Sequence, residues 1–393
     1  MSTNTETSCT VEQNRVGWCK FMDRRRLIAG VTAMSALAGI RRASCLPRKA
    51  SADDSARLKD VMMRCRGGLI GAQASRSVLE KHSALTAFIY DNLSILTPGN
   101  DMKWSFLRPS QDTVDFDGRD WFVAYCRANG IAVHGHNLCW NSDNPKWLDS
   151  SLTQKNAERV LREHIEVVAH HYQGKVDSWD VVNEPTAPWS NRSDGLREGP
   201  WLASLGPDYI EIAFRATAEA DPKAIRVLNV NHVEQFDIGV DLARRKVLEL
   251  LDRLLSREVP VQAVGLESHL DTSKRIDAIG LGHFVRQIKH MGLEVMITEM
   301  DVLDNSAPAD FRERDAVVAK LYSEYLKIIM EVASPKRLIF WSLSDQGNWY
   351  DNWAKLSPNI RRSDDLPHRP GLLDTDMNPK VTLDAVCNSL RCS

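Results

Sequence analysis

Three observations predict a (β/α)8 barrel. Short apolar runs recur along the chain from residue 68, and longer segments with helical periodicity separate them. Polar and acidic residues gather where the runs end, as they do at the mouth of such a barrel. An open, doubly wound sheet is the alternative, but Gly68 and Gly71 lack the rest of a glycine-rich phosphate loop.

The first run, 68–74, and the second, 94–98, are short and apolar. They are followed by 132–140, 176–184, 224–232 and 263–270, and then by 294–302 and 337–345. Runs of this length, rich in Val, Ile and Leu, suit parallel strands buried on both faces. Helices are expected over 152–172, 209–220, 240–255 and 311–332; in the last, Leu321, Tyr325 and Ile328 recur at helical steps. No Pro/Gly/Ser-rich linker, low-complexity tract or second module interrupts the series, so residues 46–393 read as one domain.

The first 45 residues differ in kind. Arg24, Arg25 and Arg26 precede an uncharged run, 27–40, which is too short to span a bilayer comfortably and suits a secretory signal. Ala36-Leu37-Ala38 offers a small-residue cleavage site. Asp23-Arg24-Arg25-Arg26-Leu27-Ile28 resembles a twin-arginine signal, with Asp where Ser or Thr is usual. A general secretory signal or an uncleaved anchor is the alternative; Arg42 argues against a lipoprotein at Cys45. The expected partner in export is the twin-arginine machinery, and the expected location is periplasmic or secreted, with no membrane anchor on the mature chain.

With 393 residues and a formal net charge of −2, the chain carries no electrostatic footprint for nucleic acid or anionic membrane. Beyond the leader, Cys65, Cys126, Cys139, Cys387 and Cys392 show no metal-type spacing. Cys387 and Cys392 are close enough in sequence to pair, and Cys126 and Cys139, in apolar segments, read as buried free thiols.

The strand ends carry the chemistry. In 176–185 a Val- and Trp-rich run stops at Asn183, Glu184 and Pro185, because proline cannot continue a central strand. Alone, Glu184 reads equally well as a cap for the next helix. A second carboxylate, Glu299, ends the seventh run, so a closed barrel turns both toward one pocket. Paired carboxylates there permit glycoside hydrolysis: one protonates the leaving oxygen, while the other attacks the anomeric carbon or activates water. A separation of about 5–5.5 Å means retention and about 6.5–9.5 Å inversion, between which the sequence does not choose. Metal-assisted hydrolysis by His136, Glu184, His269 and Asp301 is the competing chemistry. The tryptophans and the Asn-Glu-Pro context favour sugar chemistry, and no metal or other cofactor is expected.

Several motifs together resemble family-10 glycoside hydrolases, the xylanase family of retaining (β/α)8 enzymes. They are Trp179-Asp180-Val181-Val182-Asn183-Glu184-Pro185, Ile297-Thr298-Glu299-Met300-Asp301 and Asn100-Asp101-Met102-Lys103-Trp104. Gly135-His136-Asn137-Leu138-Cys139-Trp140, Ser268-His269-Leu270 and Phe340-Trp341-Ser342-Leu343 match as well, in the family's order. The resemblance runs from about residue 65 to 385. It implies Glu299 as nucleophile, Glu184 as acid/base and Asn183 as a hydrogen-bonding partner of the sugar's 2-hydroxyl. His269 and Asp301 would orient Glu299. Lys103 and His136 would bind sugar hydroxyls, with Asn100 further out, and Trp341 and Trp349 would offer flat apolar faces. Trp140 and Glu267 join the substrate-binding set, although Trp140 and Trp179 read equally as core packing.

The recognition residues depart from that pattern. Gly99 stands where the family has a sugar-binding Glu, Asn141 replaces a His, and Glu267 replaces a Gln. Asn231-His232-Val233-Glu234 matches only loosely. The reading is therefore an exported endo-β-1,4-xylanase acting by double displacement. A hydrolase of another β-linked glycan is the first alternative. The second is a non-catalytic glycan-binding protein, which would predict a changed Glu184 or Glu299.

Overall fold

The computed structural model describes residues 57–190 and 192–392, so the expected leader and tether, 1–45, lie outside the described residues. Nine strands follow in chain order: β1 (Leu69–Gln73), β2 (Ile95–Thr97), β3 (Ala132–Gly135), β4 (Ser178–Asn183) and β5 (Ile225–Val230), then β6 (Ala263–Leu266), β7 (His269–Asp271), β8 (Glu294–Leu303) and β9 (Arg337–Phe340). Every ladder is parallel. The order β6-β5-β4-β3-β2-β1-β9-β8 closes through a β6–β8 pairing, which makes an eight-stranded barrel. The three-residue β7 continues past the end of β6 and pairs with the far half of β8. Closure leaves no barrel edge, and the eight expected runs each contribute one barrel strand.

The alternation of strand and helix has a packing cause. Helix Ala157–His171 buries Val160, Leu161, Ile165 and Val168, one stripe at helical spacing, against the sheet. Helix Phe311–Val332 does the same with Val318, Tyr322, Tyr325 and Ile329, and Asp310 caps it by accepting from the amides of Arg312 and Glu313. Trp179 is fully buried, and its indole lies across Gly135, where an added Cβ would come within 2.1 Å of the ring. Of the two readings for Trp179, packing is the one the fold adopts.

Several expected boundaries move. The strand expected over 132–140 leaves the ladder after Gly135; beyond it Leu138 N–H donates to Asp180 O and Asn183 N–H to Cys139 O. The run 263–270 divides at Ser268, whose φ of 63° lies in the left-handed region. There its amide donates to Glu234 Oε1 and its hydroxyl bonds to Tyr325 Oη. The last strand ends at Phe340 rather than 345. The helix expected over 152–172 begins at Ala157, because Asn156 folds the preceding residues into a turn by accepting from Thr153 N–H.

Two irregularities sit at the carboxylates. Between β4 and β5 the register passes from Asp180↔Val227 to Val182↔Leu228, so β4 carries one extra residue. β8 carries one extra residue relative to both neighbours: Ile297 and Met300 face Leu338 and Phe340 on one side, while Ile297 and Asp301 face Leu266 and His269 on the other. An extra residue bends a strand and re-aims the side chains beyond it. Glu184 lies just beyond the first irregularity and Glu299 lies within the second.

The chain ends are tied together. Cys392 pairs with Cys65, 327 residues away, and not with the sequence-near Cys387. Cys387 sits within the last helix, Val381–Leu390, and is a free thiol, whereas Cys392 lies past the end of that helix. Proximity along the chain was therefore the wrong guide, because a helix separates the two cysteines. Cys126 and Cys139 are buried free thiols as expected, and burial pushes the Cys126 thiol up to about 12. A crosslink spanning nearly the whole domain restricts the unfolded chain. Cys392→Ser is expected to lower unfolding free energy by about 2–4 kcal/mol, read from denaturant melts.

Candidate active site

Glu184 stands one residue past the end of β4, with φ of 47°, an uncommon conformation for a non-glycine residue and one that surrounding contacts must hold. Its amide donates to Asn229 O, and Arg197 Nε donates to its carbonyl. At the carboxyl, Asn183 Nδ2 lies 3.3 Å from Oε1 and Arg197 Nη2 lies 3.1 Å from Oε2. Burial raises the Glu184 pKa, Arg197 opposes that, and the charge of Glu299 adds to it; the net shift is upward.

Glu299 is buried between two histidines. His136 Nδ1 is 3.7 Å from its Oε1, and His269 Nε2 is 3.5 Å from its Oε2. Burial would raise this carboxyl, but the charges of His136 and His269 outweigh it and hold Glu299 below the ordinary glutamate value. His269 is itself held well above its usual value: burial opposes the charge, and Asp301, 2.7 Å from Nδ1, prevails. Asp301 also accepts from Ser342 Oγ at 3.0 Å, Trp349 Nε1 at 2.6 Å and Tyr350 Oη at 2.7 Å. On the opposite wall Asp180 binds both His134 and His136 at 2.9 Å; burial raises its pKa, but the two histidines bring it down to about 2.

A chain of amides joins the two glutamates. Asn229 Nδ2 donates to Glu299 Oε1 at 2.8 Å and to Asn183 Oδ1 at 2.7 Å, and Asn183 Nδ2 reaches Glu184. Thr298 Oγ1 donates to Asn229 Oδ1 at 2.6 Å, which fixes the orientation of that amide. The two carboxyls thus share one relay while their surroundings push their proton affinities apart. That is the arrangement an acid and a nucleophile or base require.

One groove of about 1630 Å³ gathers the predicted residues. Asn100, Lys103, His136, Trp140, Asn183 and Glu184 lie along one part of its wall. Glu267, His269, Glu299, Trp341 and Trp349 lie along the rest. Asp301 is fully buried behind His269 and does not reach the groove. Lys103 Nζ sits 4.6 Å above the Trp140 ring, so Trp140 belongs to the wall rather than the core.

Sequence reading missed Asn229, Arg197, Tyr350 and Gln73. Asn229 is the next-to-last residue of β5 and pairs in register with Asn183, the last of β4, so a polar residue near a strand end could have found it. Gln73, the last residue of β1, carried the same signal. A Cβ on Gly99 would come within 2.4 Å of Gln73 Nε2, so the Gln73 amide fills the space beside Gly99, whose φ is +62°.

Two sets of three side chains, His136–Asp180–Glu299 and Glu267–His269–Glu299, bring candidate ligand atoms within 4.8 Å of one another. Neither is the set expected from sequence. Asp301, in that expected set, spends its carboxylate on four donors, and the proton that His269 holds blocks a lone pair a metal would need.

The family model for glycosyl hydrolase family 10 matches residues 58–389. The chain belongs to glycosyl hydrolase family 10. Among relatives, it is 30% identical to a β-1,4-xylanase of Dictyoglomus thermophilum over 76% of this chain and 84% of that protein. It is 29% identical to endo-1,4-β-xylanase B of Thermotoga neapolitana over 67% and 73%, respectively. The solved structure of xylanase 10B from Thermotoga petrophila RKU-1 in complex with xylobiose superposes with a TM-score of 0.75, at 27% identity over 86% of this chain and 98% of that one. This family-10 chain is a glycoside hydrolase.

The electrostatics give a test. Asp301→Asn removes the charge that keeps His269 protonated, so Glu299 loses a cation and its proton affinity rises. The acidic limb of kcat/KM against pH is expected to move to higher pH, and the alkaline limb to move the same way but less, because the His269 charge lowers Glu184 only weakly. The check is initial-rate profiles of both proteins on one β-1,4-linked oligosaccharide.

Proposed function

We propose that this protein is an exported endo-β-1,4-xylanase that retains anomeric configuration. The observation that carries the mechanism is the relay Glu184–Asn183–Asn229–Glu299, with one carboxyl biased toward its acid and the other toward its anion. Glu299, ionised between His136 and His269, attacks the anomeric carbon as Glu184 protonates the leaving glycosidic oxygen. The bond to the leaving sugar breaks and a glycosyl ester on Glu299 forms. Esterification removes the negative charge that had helped raise Glu184, so its proton affinity falls. Glu184, now a base, takes a proton from water, which attacks the anomeric carbon; the bond from that carbon to Glu299 breaks, and the sugar and the Glu299 carboxylate are released.

Asn183 reaches the 2-hydroxyl in this scheme, and Asn229 holds it in place. His269 and Asp301 keep Glu299 ionised and oriented. Lys103, His136 and Asn100 bind hydroxyls on the glycone side, with Trp140 beneath Lys103; Trp341 and Trp349 cover apolar sugar faces. Xylan as substrate is supported by the relatives, named as xylanases, and by the xylobiose complex of the Thermotoga petrophila protein. Export rests on the arginine-led segment at 24–40, and the Cys65–Cys392 bond, suited to an oxidising compartment, supports it. No described helix is long and apolar enough to cross a membrane. Residues 1–45 form the leader and tether, and 46–393 the catalytic domain.

Release of reducing ends from xylan, beside a panel of other β-glycans, tests the substrate. Wild type is expected to cleave xylan and Glu299→Ala to have no measurable activity. Cleavage of another β-glycan alone would overturn the xylan assignment, and equal behaviour of the two proteins would overturn hydrolysis by this site. Glu184→Ala is expected to cost about 10²–10⁴-fold in kcat/KM on xylan. The loss should be far smaller on an aryl xylobioside whose leaving group needs no proton. Proton NMR of the first-formed product should show the β-anomer; an α-anomer would refute retention.

A further inference from the structure

Four buried carboxyls crowd the barrel mouth around His269, and they differ in what supports a charge. Asp301 has four donors within 3.0 Å. Glu234 accepts the amides of Val233 and Ser268 at 2.8 and 2.9 Å. Glu299 has Asn229 at 2.8 Å and the two histidines. Glu267, only 3% exposed, has Asn229 at 3.5 Å and His269 at 4.0 Å. The Asn229 amide has two hydrogens, and both are spent at 2.7 and 2.8 Å on Asn183 and Glu299. Glu267 is left without a close donor, in a cluster where its carboxyl and that of Glu299 approach within 4.8 Å.

A buried carboxylate without donors, beside another carboxylate, is the form that burial and like charge both disfavour. We propose that Glu267 works as a neutral carboxylic acid, keeping its proton through the catalytic cycle and presenting an O–H donor to the bound sugar between Glu184 and Glu299. It is thereby a positioning and binding residue, and its neutrality leaves Glu299 as the ionised member of the cluster. Every group facing it acts in this sense or is already committed. Burial, then Glu184 from the end of β4 and Glu299 from β8, raise Glu267 well above its ordinary value, and Glu234 from the segment after β5 adds to that. His269 from β7 opposes them, but its Nδ1 faces Asp301 at 2.7 Å and its Nε2 lies closer to Glu299, at 3.5 Å, than to Glu267, at 4.0 Å. The role in sugar binding rests on the hydrolase reading above; the protonation state does not.

Infrared difference spectroscopy of wild type against Glu267→Gln at neutral pH tests the protonation state without any substrate. Loss of a carboxylic-acid carbonyl band in the variant is the expected result. Loss of a carboxylate band instead would overturn the proposal. Should E267Q not fold, carboxyl-carbon NMR with labelled glutamate decides the same point: a protonated glutamate carboxyl at neutral pH that persists in both Glu184→Gln and Glu234→Gln is expected, and its absence refutes the proposal.

The functional half is read from kcat/KM against pH for wild type, E267Q and Glu267→Ala. Glutamine keeps a neutral donor, so E267Q should recover at least tenfold of what E267A loses, and a variant no better than Ala would overturn the donor role. The alkaline limb of E267Q should stay or move upward, because no charge is lost from beside Glu184. A downward shift would mean that wild-type Glu267 is ionised. Activity failing in all three proteins alongside an intact acid band would count against the hydrolase reading and leave the protonation state established.

Discussion

The site depends on the charge of Asp301. Fully buried, it is held by four donors from three places: His269 on β7, Ser342 just past β9, and Trp349 and Tyr350 in the short helix Trp349–Trp353. Removing any one donor leaves part of a buried charge unmet, which is costly in a medium where water cannot substitute. The arrangement therefore closes the mouth structurally, pulling the loop after β9 onto the barrel. It also keeps a proton on His269, and that proton keeps Glu299 an anion. Structural and catalytic demands meet in one carboxylate that touches no substrate.

The loop that supplies Trp349 has its own anchor, a buried ionic network that leaves few charges unpaired. Arg369 pairs with Asp315 at 2.7 Å and Lys380 with Asp345 at 3.1 Å, and beside them His368 Nδ1 hydrogen-bonds to Asp304 Oδ1 at 2.6 Å. Arg314 donates to the carbonyls of Pro308, Ala309 and Pro367. Buried pairs of this kind contribute little net stability over apolar packing, but breaking one is expensive, so they specify a single loop position. Trp349 then stacks on Trp353 at 5.0 Å and continues the flat wall away from the reacting centre.

The strand irregularities explain how a regular barrel presents irregular chemistry. Side chains on a parallel strand alternate strictly, so an uninterrupted β8 would fix Glu299 by parity alone. One extra residue in β4 and one in β8 break that parity beside the carboxylates. The left-handed φ at Glu184 and at Ser268 extends the same departure to the ends of β4 and β6. Departures of this kind gather where function competes with regular structure.

The sequence by itself determined the barrel, because apolar runs alternating with amphipathic helices follow local rules of period and burial. It also determined that Glu184 follows a strand end, since Pro185 stops a buried run; Glu299 was expected to end its run as well, but β8 continues past it to Leu303. Eleven of the twelve named site residues lie on one groove; the twelfth, Asp301, works from behind it. Only the tertiary structure decided the rest. Asn229 gains its role from Glu299, 70 positions away, and Cys65 finds Cys392 rather than remaining single. Gln73 fills the space beside Gly99 across two strand ends. The lack of close donors around Glu267 is a property of its neighbours, not of its own segment. Contacts between residues far apart in the chain leave no periodic trace, and a charge is set by what surrounds it, so neither could be read along a single line of residues.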